Sequence, residues 1–312
     1  GKSTVLDALL IGTVISGGGA LVQVVQRRTS RQFTGEWLFR RKAGQASVEI
    51  FTTNRSRHTV LDWLSVDDAR THLPGPNGGS AKLHGGVRAS FASLGQRKFS
   101  AAVFFANGEV LTHSNYAPEE IPQEERFNAK LIDMRGAAGE QRDLTEVLTD
   151  AKAAGAGAAT VELLAKVAPG VLNLEILRVG SGYEVGLIYG DGAVPLSMAG
   201  DGIRAVARLA LELAALPNGL ALLEEPEVHQ HPGALKQSAA TMVTSVKRGL
   251  QVVVATHSLE LIDELLLAAK KSEILDQLTV QNLRLVGGVL SSTRFEGPES
   301  DEIRNVIGTE LR

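Results

Sequence analysis

Two short apolar runs in the second half of the chain constrain its fold more than any other feature. Leu220-Ala221-Leu222-Leu223 and Val252-Val253-Val254-Ala255 suit buried strands and are too short for helices. Helix-period segments precede, separate and follow them. The predicted order is helix 201–216, strand 219–223, helix 234–247, strand 251–256 and helix 259–269. Parallel neighbours need a crossover connection, so this alternation argues for an α/β fold with a mostly parallel sheet. Ligands in such sheets bind beyond the carboxyl ends of the strands. Both runs end there in residues that can do chemistry: Glu224-Glu225-Pro226 after the first and Thr256-His257-Ser258 after the second.

The first half reads differently. Val5, Leu6, Leu9, Leu10 and Val14 predict a helix that opens directly after Gly1-Lys2, with Gly17-Gly18-Gly19 as its break. Strand-like runs follow at 47–53, 58–64, 87–92, 99–106 and 109–113. Gly, Pro and Asn separate them, notably 74–79 and the hairpin signal Asn107-Gly108. A mostly antiparallel β lobe is expected. Residues 118–169 turn polar and alanine-rich, with helices predicted at 144–153 and 159–167. Two more strands are predicted at 174–179 and 183–189, joined by Gly180-Ser181-Gly182. The helix from Asp201 has an apolar face of Ile203, Val206, Leu209, Ala210 and Leu213, with Arg204, Arg208 and Glu212 pointing away.

Composition narrows the chemistry. The 312 residues hold no cysteine, which removes disulfides, thiolate zinc sites and cysteine nucleophiles. A formal net charge of −3 provides no overall basic field for nucleic acid. Only Arg27-Arg28-Arg31 and Arg40-Arg41-Lys42 form basic groups suited to a phosphate backbone. No apolar stretch approaches the ~20 residues of a membrane-spanning helix, and no signal-peptide pattern opens the chain. The expectation is a cytoplasmic protein without a membrane partner.

Gly1-Lys2-Ser3-Thr4 matches the tail of the phosphate loop, in which backbone N–H groups cradle phosphates, Lys reaches the β/γ oxygens and a Ser/Thr hydroxyl binds Mg²⁺. In a Walker B arrangement the first acid, Glu224, holds Mg²⁺ and the second, Glu225, polarises the attacking water. A histidine at the same sheet edge, His257, suits a hydrogen bond to the γ-phosphate and that water better than metal ligation. Pro195-Leu196-Ser197-Met198-Ala199-Gly200-Asp201-Gly202 offers small residues at a helix N-terminus, which suits an anion; a well-capped helix start with Asp201 as its N-terminal charge explains it equally. His229 and His231 flank Gln230 beside Glu225 and Glu227, a pattern that invites a metal reading. No cysteine or third histidine lies nearby, so a loop that shapes a contact is the preferred reading.

The order Gly-Lys-Ser-Thr, Leu-Ser-Met-Ala-Gly-Asp-Gly, Leu-Leu-Glu-Glu-Pro-Glu-Val-His-Gln-His-Pro and Ala-Thr-His-Ser-Leu-Glu-Leu-Ile-Asp resembles the ABC-type ATPases. Within them it is most similar to the stand-alone AAA-labelled group related to RecF and to the OLD (overcoming lysogenisation defect) family. The resemblance implies a P-loop NTPase core with an antiparallel β-rich insert, using ATP and Mg²⁺. Gly1, Lys2, Ser3 and Thr4 would bind the nucleotide, Ser3 and Glu224 the Mg²⁺, with Glu225 the general base and His257 the switch histidine. Ser197, Gly200, Asp201 and Gly202 would close over the nucleotide of a second copy in a head-to-tail homodimer. Glu224 replaces the usual Asp, Met198-Ala199 and Asp201 replace Gly-Gly-Gln, and neither Gln96 nor Gln123 fits the lid glutamine convincingly. The implied organisation is one bilobed head: a P-loop remnant and first helix at 1–30, the β-rich lobe at 31–116, a helical and strand insert at 117–194, and the α/β core at 195–312. Because the sequence opens inside the phosphate-loop pattern, the preceding strand and the first half of that loop are expected to be missing from it. The implied function is ATP hydrolysis in a dimer, in DNA-related or phage-defence processes. The alternative is a nucleotide-gated scaffold that recruits or restrains a separate effector such as a nuclease, so the partners to consider are a second copy, DNA or that effector.

Overall fold

The computed structural model describes residues 2–13, 17–26, 39, 45–51, 56–73, 82–126, 128–134, 143–216 and 218–307. The chain divides into two compact units, residues 7–129 and residues 1–6 with 130–312. Helix α1 (Lys2–Thr13) crosses that division and is followed by α2 (Gly17–Gln26). Next come β1 (Gln45–Phe51), β2 (Ser56–Leu64), the short helix α3 (Val66–Arg70), β3 (Leu83–Ser93), β4 (Gln96–Phe105) and β5 (Val110–Ser114). The five strands form one sheet in sequence order, every adjacent pair antiparallel, as the strand runs predict. At Asn107-Gly108 the expected hairpin forms, with the Asn107 side-chain oxygen accepting from the Glu109 amide at 3.1 Å. The 74–79 turn cluster and both basic clusters lie outside the described residues.

The first helix ends at Thr13, ahead of the expected break, and Gly17-Gly18-Gly19 begins α2. A Cβ on Gly18 would stand 2.9 Å from the Thr112 Cβ, so the missing side chain lets the helix approach the sheet. Close approach, and not helix termination, accounts for a glycine at position 18.

The other unit carries the α/β grammar. Its elements are β6 (Ala129–Asp133), α4 (Leu144–Ala153), α5 (Gly157–Leu164), β7 (Asn173–Val179), β8 (Gly182–Tyr189) and β9 (Gly192–Pro195). Then follow α6 (Asp201–Ala214), β10 (Gly219–Glu224), α7 (Pro232–Lys247), β11 (Leu250–Ala255), α8 (Leu259–Lys271), the hairpin β12 (Thr279–Val286) and β13 (Val289–Glu296), and α9 (Gly297–Glu302). Strands β11, β10 and β6 form the central sheet in that order, with β10 and β11 parallel and Glu224 opposite Ala255. Strands β7, β8 and β9 form a separate antiparallel sheet. The predicted α4 matches residue for residue. Strand β6 was not predicted, because it falls in the polar stretch and has only Leu131 and Ile132 as buried apolar residues. No helix among the described residues is long and apolar enough to cross a membrane.

Helix α6 joins two cores. Leu209 and Leu213 belong to the cluster with Ala221, Leu223, Leu235, Met242 and Leu261 around the central sheet. Val206, Ala207, Leu211 and Ala214 belong to a second cluster with Val147, Leu148, Leu164 and Leu187. Arg204 is exposed as the polar face predicts, but Glu212 is not, since a helix buried on two sides leaves less of its surface to water. Glu212 is only 2% exposed and is held by Lys130 of β6 and, at 3.6 Å, by Arg208 one turn earlier. Burial pulls the Arg208 pKa below the usual arginine value, while Glu212 and Asp133 act the other way. Unpaired burial of such charges costs several kcal/mol, so the pairing is a condition for this packing. Leu213 is fully buried in the sheet-side core. Leu213→Ala is expected to cost about 2–5 kcal/mol in a urea titration.

Candidate functional site

The parallel register of β10 and β11 brings two loops side by side at the carboxyl edge of the central sheet. Pairing continues one residue past the strand, where the Glu225 amide donates to the Ala255 carbonyl at 2.8 Å. Glu224 and Glu225 therefore stand beside Thr256 and His257. The Glu225 backbone lies in the left-handed region at φ 42°, and that of His229 at φ 61°. Non-glycine residues adopt this conformation at a cost on the order of 1–3 kcal/mol, and such residues concentrate at functional sites. Pro226 follows directly and stiffens the turn.

The first turn of α1 reaches this edge from the far end of the sequence. The Ser3 hydroxyl donates to Glu224 Oε1, and the Glu224 carboxylate is otherwise deeply buried at 1% exposure. Lys2 Nζ donates to the Thr256 carbonyl and lies 3.3 Å from His257 Nδ1. His257 Nε2 in turn stands 3.9 Å from Glu225 Oε1. Five predicted site residues thus converge: Lys2, Ser3, Glu224, Glu225 and His257. They form the polar side of a cleft of ≈ 290 Å³ whose other side is apolar, from Leu283 and Leu285 of β12 and Leu290 of β13. Sequence reasoning missed those leucines, which β pairing aligns on one face of the hairpin.

Not every predicted residue joins the cluster. Thr4 is exposed and does not line the cleft, and Gly1 lies outside the described residues. Ser197, Gly200, Asp201 and Gly202 also stand apart from the cleft lining. Ser197 sits in a single turn, Leu196–Met198, where its hydroxyl donates to Glu184 at 2.5 Å. Gly200 is the N-cap position of α6, and Asp201 in the first turn pairs with Arg204.

The loop 225–231 has its own fastening. The Gln230 side chain donates to the Pro226 carbonyl at 2.6 Å and accepts from Ser238 of α7 at 2.7 Å. His231 caps α7, its Nδ1 accepting from the Gly233 amide at 3.2 Å, and Pro232 occupies the first helical position. That role accounts for His231 without a metal, and no group of three or more His, Cys, Asp or Glu with metal-binding geometry occurs among the described residues. Glu227 escaped the sequence reading as a site residue. Its Oε1 accepts from the Thr256 hydroxyl and from the His257 amide at 3.2 Å, which ties the two loops together.

Residues 86–263 match the family described as "AAA domain, putative AbiEii toxin, Type IV TA system". That span contains Ser197, Glu224, Glu225, Glu227 and His257. A relative from Methanocaldococcus jannaschii, "Uncharacterized protein MJECL11", is 35% identical over 114 residues, which covers 36% of this chain and 98% of the relative. Among solved structures, an Smc head bound to the C-winged helix domain of ScpA is 15% identical, with 94% of this chain and 87% of that chain covered at a TM-score of 0.45. The SMC head domain from Thermotoga maritima is also 15% identical, with 71% and 77% covered at a TM-score of 0.35. With more than half of its length matched by the family's pattern, the chain belongs to the AAA domain family described in those words.

Proposed function

We propose that the cleft binds ATP with Mg²⁺ and hydrolyses the γ-phosphate. The observation that carries this reading is the convergence of Lys2 and Ser3, from one end of the chain, on Glu224, Glu225 and His257 at the carboxyl edge of a parallel strand pair. Lys2 is a point charge suited to β/γ-phosphate oxygens. The Ser3 hydroxyl and the Glu224 carboxylate are hard oxygen donors already in contact with each other, the donor chemistry that Mg²⁺ prefers. When bound there, Mg²⁺ would neutralise charge on the phosphate oxygens. Glu225 is the acid set to orient the attacking water and accept its proton. His257, within reach of both Glu225 and Lys2, is set to hydrogen-bond the γ-phosphate. The left-handed backbone at Glu225 supports a site role, because that conformation aims the carboxylate at an energetic cost the fold has to offset.

Two finer elements belong to the same proposal. The run Glu225-Pro226-Glu227-Val228-His229-Gln230-His231-Pro232 supports membership of the stand-alone RecF/OLD-like group within the family. Ser197, Gly200, Asp201 and Gly202 stand apart from this chain's own cleft, which is compatible with their acting on the nucleotide of a second copy. DNA or an effector protein would then respond to that ATP-dependent homodimer.

Lys2→Ala removes a charged hydrogen-bond donor and is expected to weaken ATP binding roughly 10- to 100-fold by calorimetry; unchanged affinity would sink the phosphate-loop assignment. Glu225→Gln should retain ATP binding and lose turnover by about 10²-fold or more. Surviving turnover would show that another group is the base, and dimerisation without turnover would favour the nucleotide-gated scaffold. The backbone at this residue gives a separate expectation. Glu225→Gly should be more stable than Glu225→Ala by about 1 kcal/mol in urea, since only glycine adopts the left-handed region freely.

A further inference from the structure

We infer that Glu227 is a positioning residue that clamps the 256–258 turn and thereby holds His257 against Glu225. The inference rests on the ATPase reading for its catalytic consequence, and on geometry alone for the clamp itself. The imidazole of His257 is exposed over about three quarters of its side chain (76%), so the surroundings of the ring do little to fix it. Its backbone is fixed instead. The His257 amide donates to Glu227 Oε1 at 3.2 Å, and the same oxygen accepts from the Thr256 hydroxyl. That hydroxyl also accepts from the Ser258 amide at 2.9 Å, and Ser258 caps α8 through the Leu261 amide at 3.1 Å. The Thr256 carbonyl meanwhile receives Lys2. A single carboxylate thus orders a turn that presents its carbonyl to the lysine and its histidine to the general base.

The other end of the clamp is equally well held. The Val228 amide donates back to the Glu225 carbonyl and the Gln230 amide to that of Glu227, while Gln230 anchors the loop to α7. Glu227 Oε2 is buried with no hydrogen-bond partner among the described residues. A buried, underused carboxylate oxygen is costly, and a side chain kept there for surface solubility would turn outward. Because charge-assisted hydrogen bonds are about twice as strong as neutral ones, a carboxylate fixes the two donors better than an amide or hydroxyl would.

The test is amide hydrogen exchange at His257 and Ser258 together with steady-state ATP hydrolysis, on the full chain. Glu227→Ala should speed exchange at the His257 amide at least about tenfold and lower kcat about tenfold or more, with ATP affinity within about twofold. Glu227→Gln, which retains an acceptor oxygen, should recover most of both losses. In a His257→Ala background, Glu227→Ala should have no further effect on kcat, whereas a merely structural residue would add its own loss. Thr256→Val removes the middle of the same chain of hydrogen bonds and should reproduce the exchange effect even where Glu227→Ala folds poorly. Unchanged His257 protection in Glu227→Ala, or losses that multiply with His257→Ala, would overturn the inference. If exchange responds as expected while the wild-type protein turns over no ATP, the hydrolase reading falls and the clamp stands.

Discussion

A carboxylate buried to 1% exposure at the end of a strand is the constraint around which the central unit is arranged. Leu222, Leu223 and Ala221 on β10 are fully enclosed, and Glu224 at the end of that strand is buried with them while lining the cleft. A carboxylate has roughly four acceptor positions, and isolation in an apolar interior would cost many kcal/mol. The hydroxyl of Ser3 supplies one donor, from a helix that begins one residue earlier. One interaction that stabilises Glu224 therefore also brings Lys2 to the sheet edge. Site assembly and hydrogen bonding of the buried acid are coupled here.

The same logic operates across the central sheet, on α6. Glu212 is enclosed because α6 serves two apolar clusters at once, and it is satisfied from two directions by Lys130 and Arg208. Replacing such a network by apolar residues of equal volume is often neutral, whereas deleting one partner is severe. The network accordingly says little about total stability and more about register, since Lys130 on β6 favours the rotation of α6 that brings Glu212 to it. That rotation sets where Gly200 and Asp201 emerge at the start of the helix.

Much of this was legible in the sequence wherever the signal was local. The strands of the antiparallel sheet stood out because turn residues bracket them, and the β10 and β11 runs because uninterrupted Leu and Val favour burial, which is nearly complete on β10 and partial on β11. Glu224, Glu225 and His257 followed from their place at the ends of those runs. Non-local effects were not legible. Strand β6 is five residues with two buried apolar side chains, and its partner β10 lies far away in sequence. The β12–β13 hairpin is exposed on most of both faces, so neither strand carries the alternation that marks a half-buried one. Gly18 and Glu212 were misread for a related reason: a close approach and a second buried face are properties of neighbours. Pro232 could have identified His231 as a helix cap, since proline favours the first helical position. Glu227 could have been found from the strand register, because pairing Glu224 with Ala255 puts the residues after one strand opposite Thr256 and His257.

The site combines rigidity with long-range assembly, and the two properties have different sources. Glu225, Glu227, Thr256 and His257 are brought together by adjacent loops of one parallel pair and tied by hydrogen bonds between those loops. Lys2 and Ser3 join them across more than two hundred residues of chain, through bonds with sequence separations of 254 and 221. Closing so long a loop costs entropy that only packing can offset. Leu6, one helical turn from Lys2 and 1% exposed, is the buried residue nearest to that junction on α1. Loosening of this first turn would remove the lysine and the hydroxyl together while leaving both acids and the histidine in register. The protein would then keep a formed acid–histidine pair and lose the groups that bring a phosphate to it, so binding is expected to fail before catalytic geometry does.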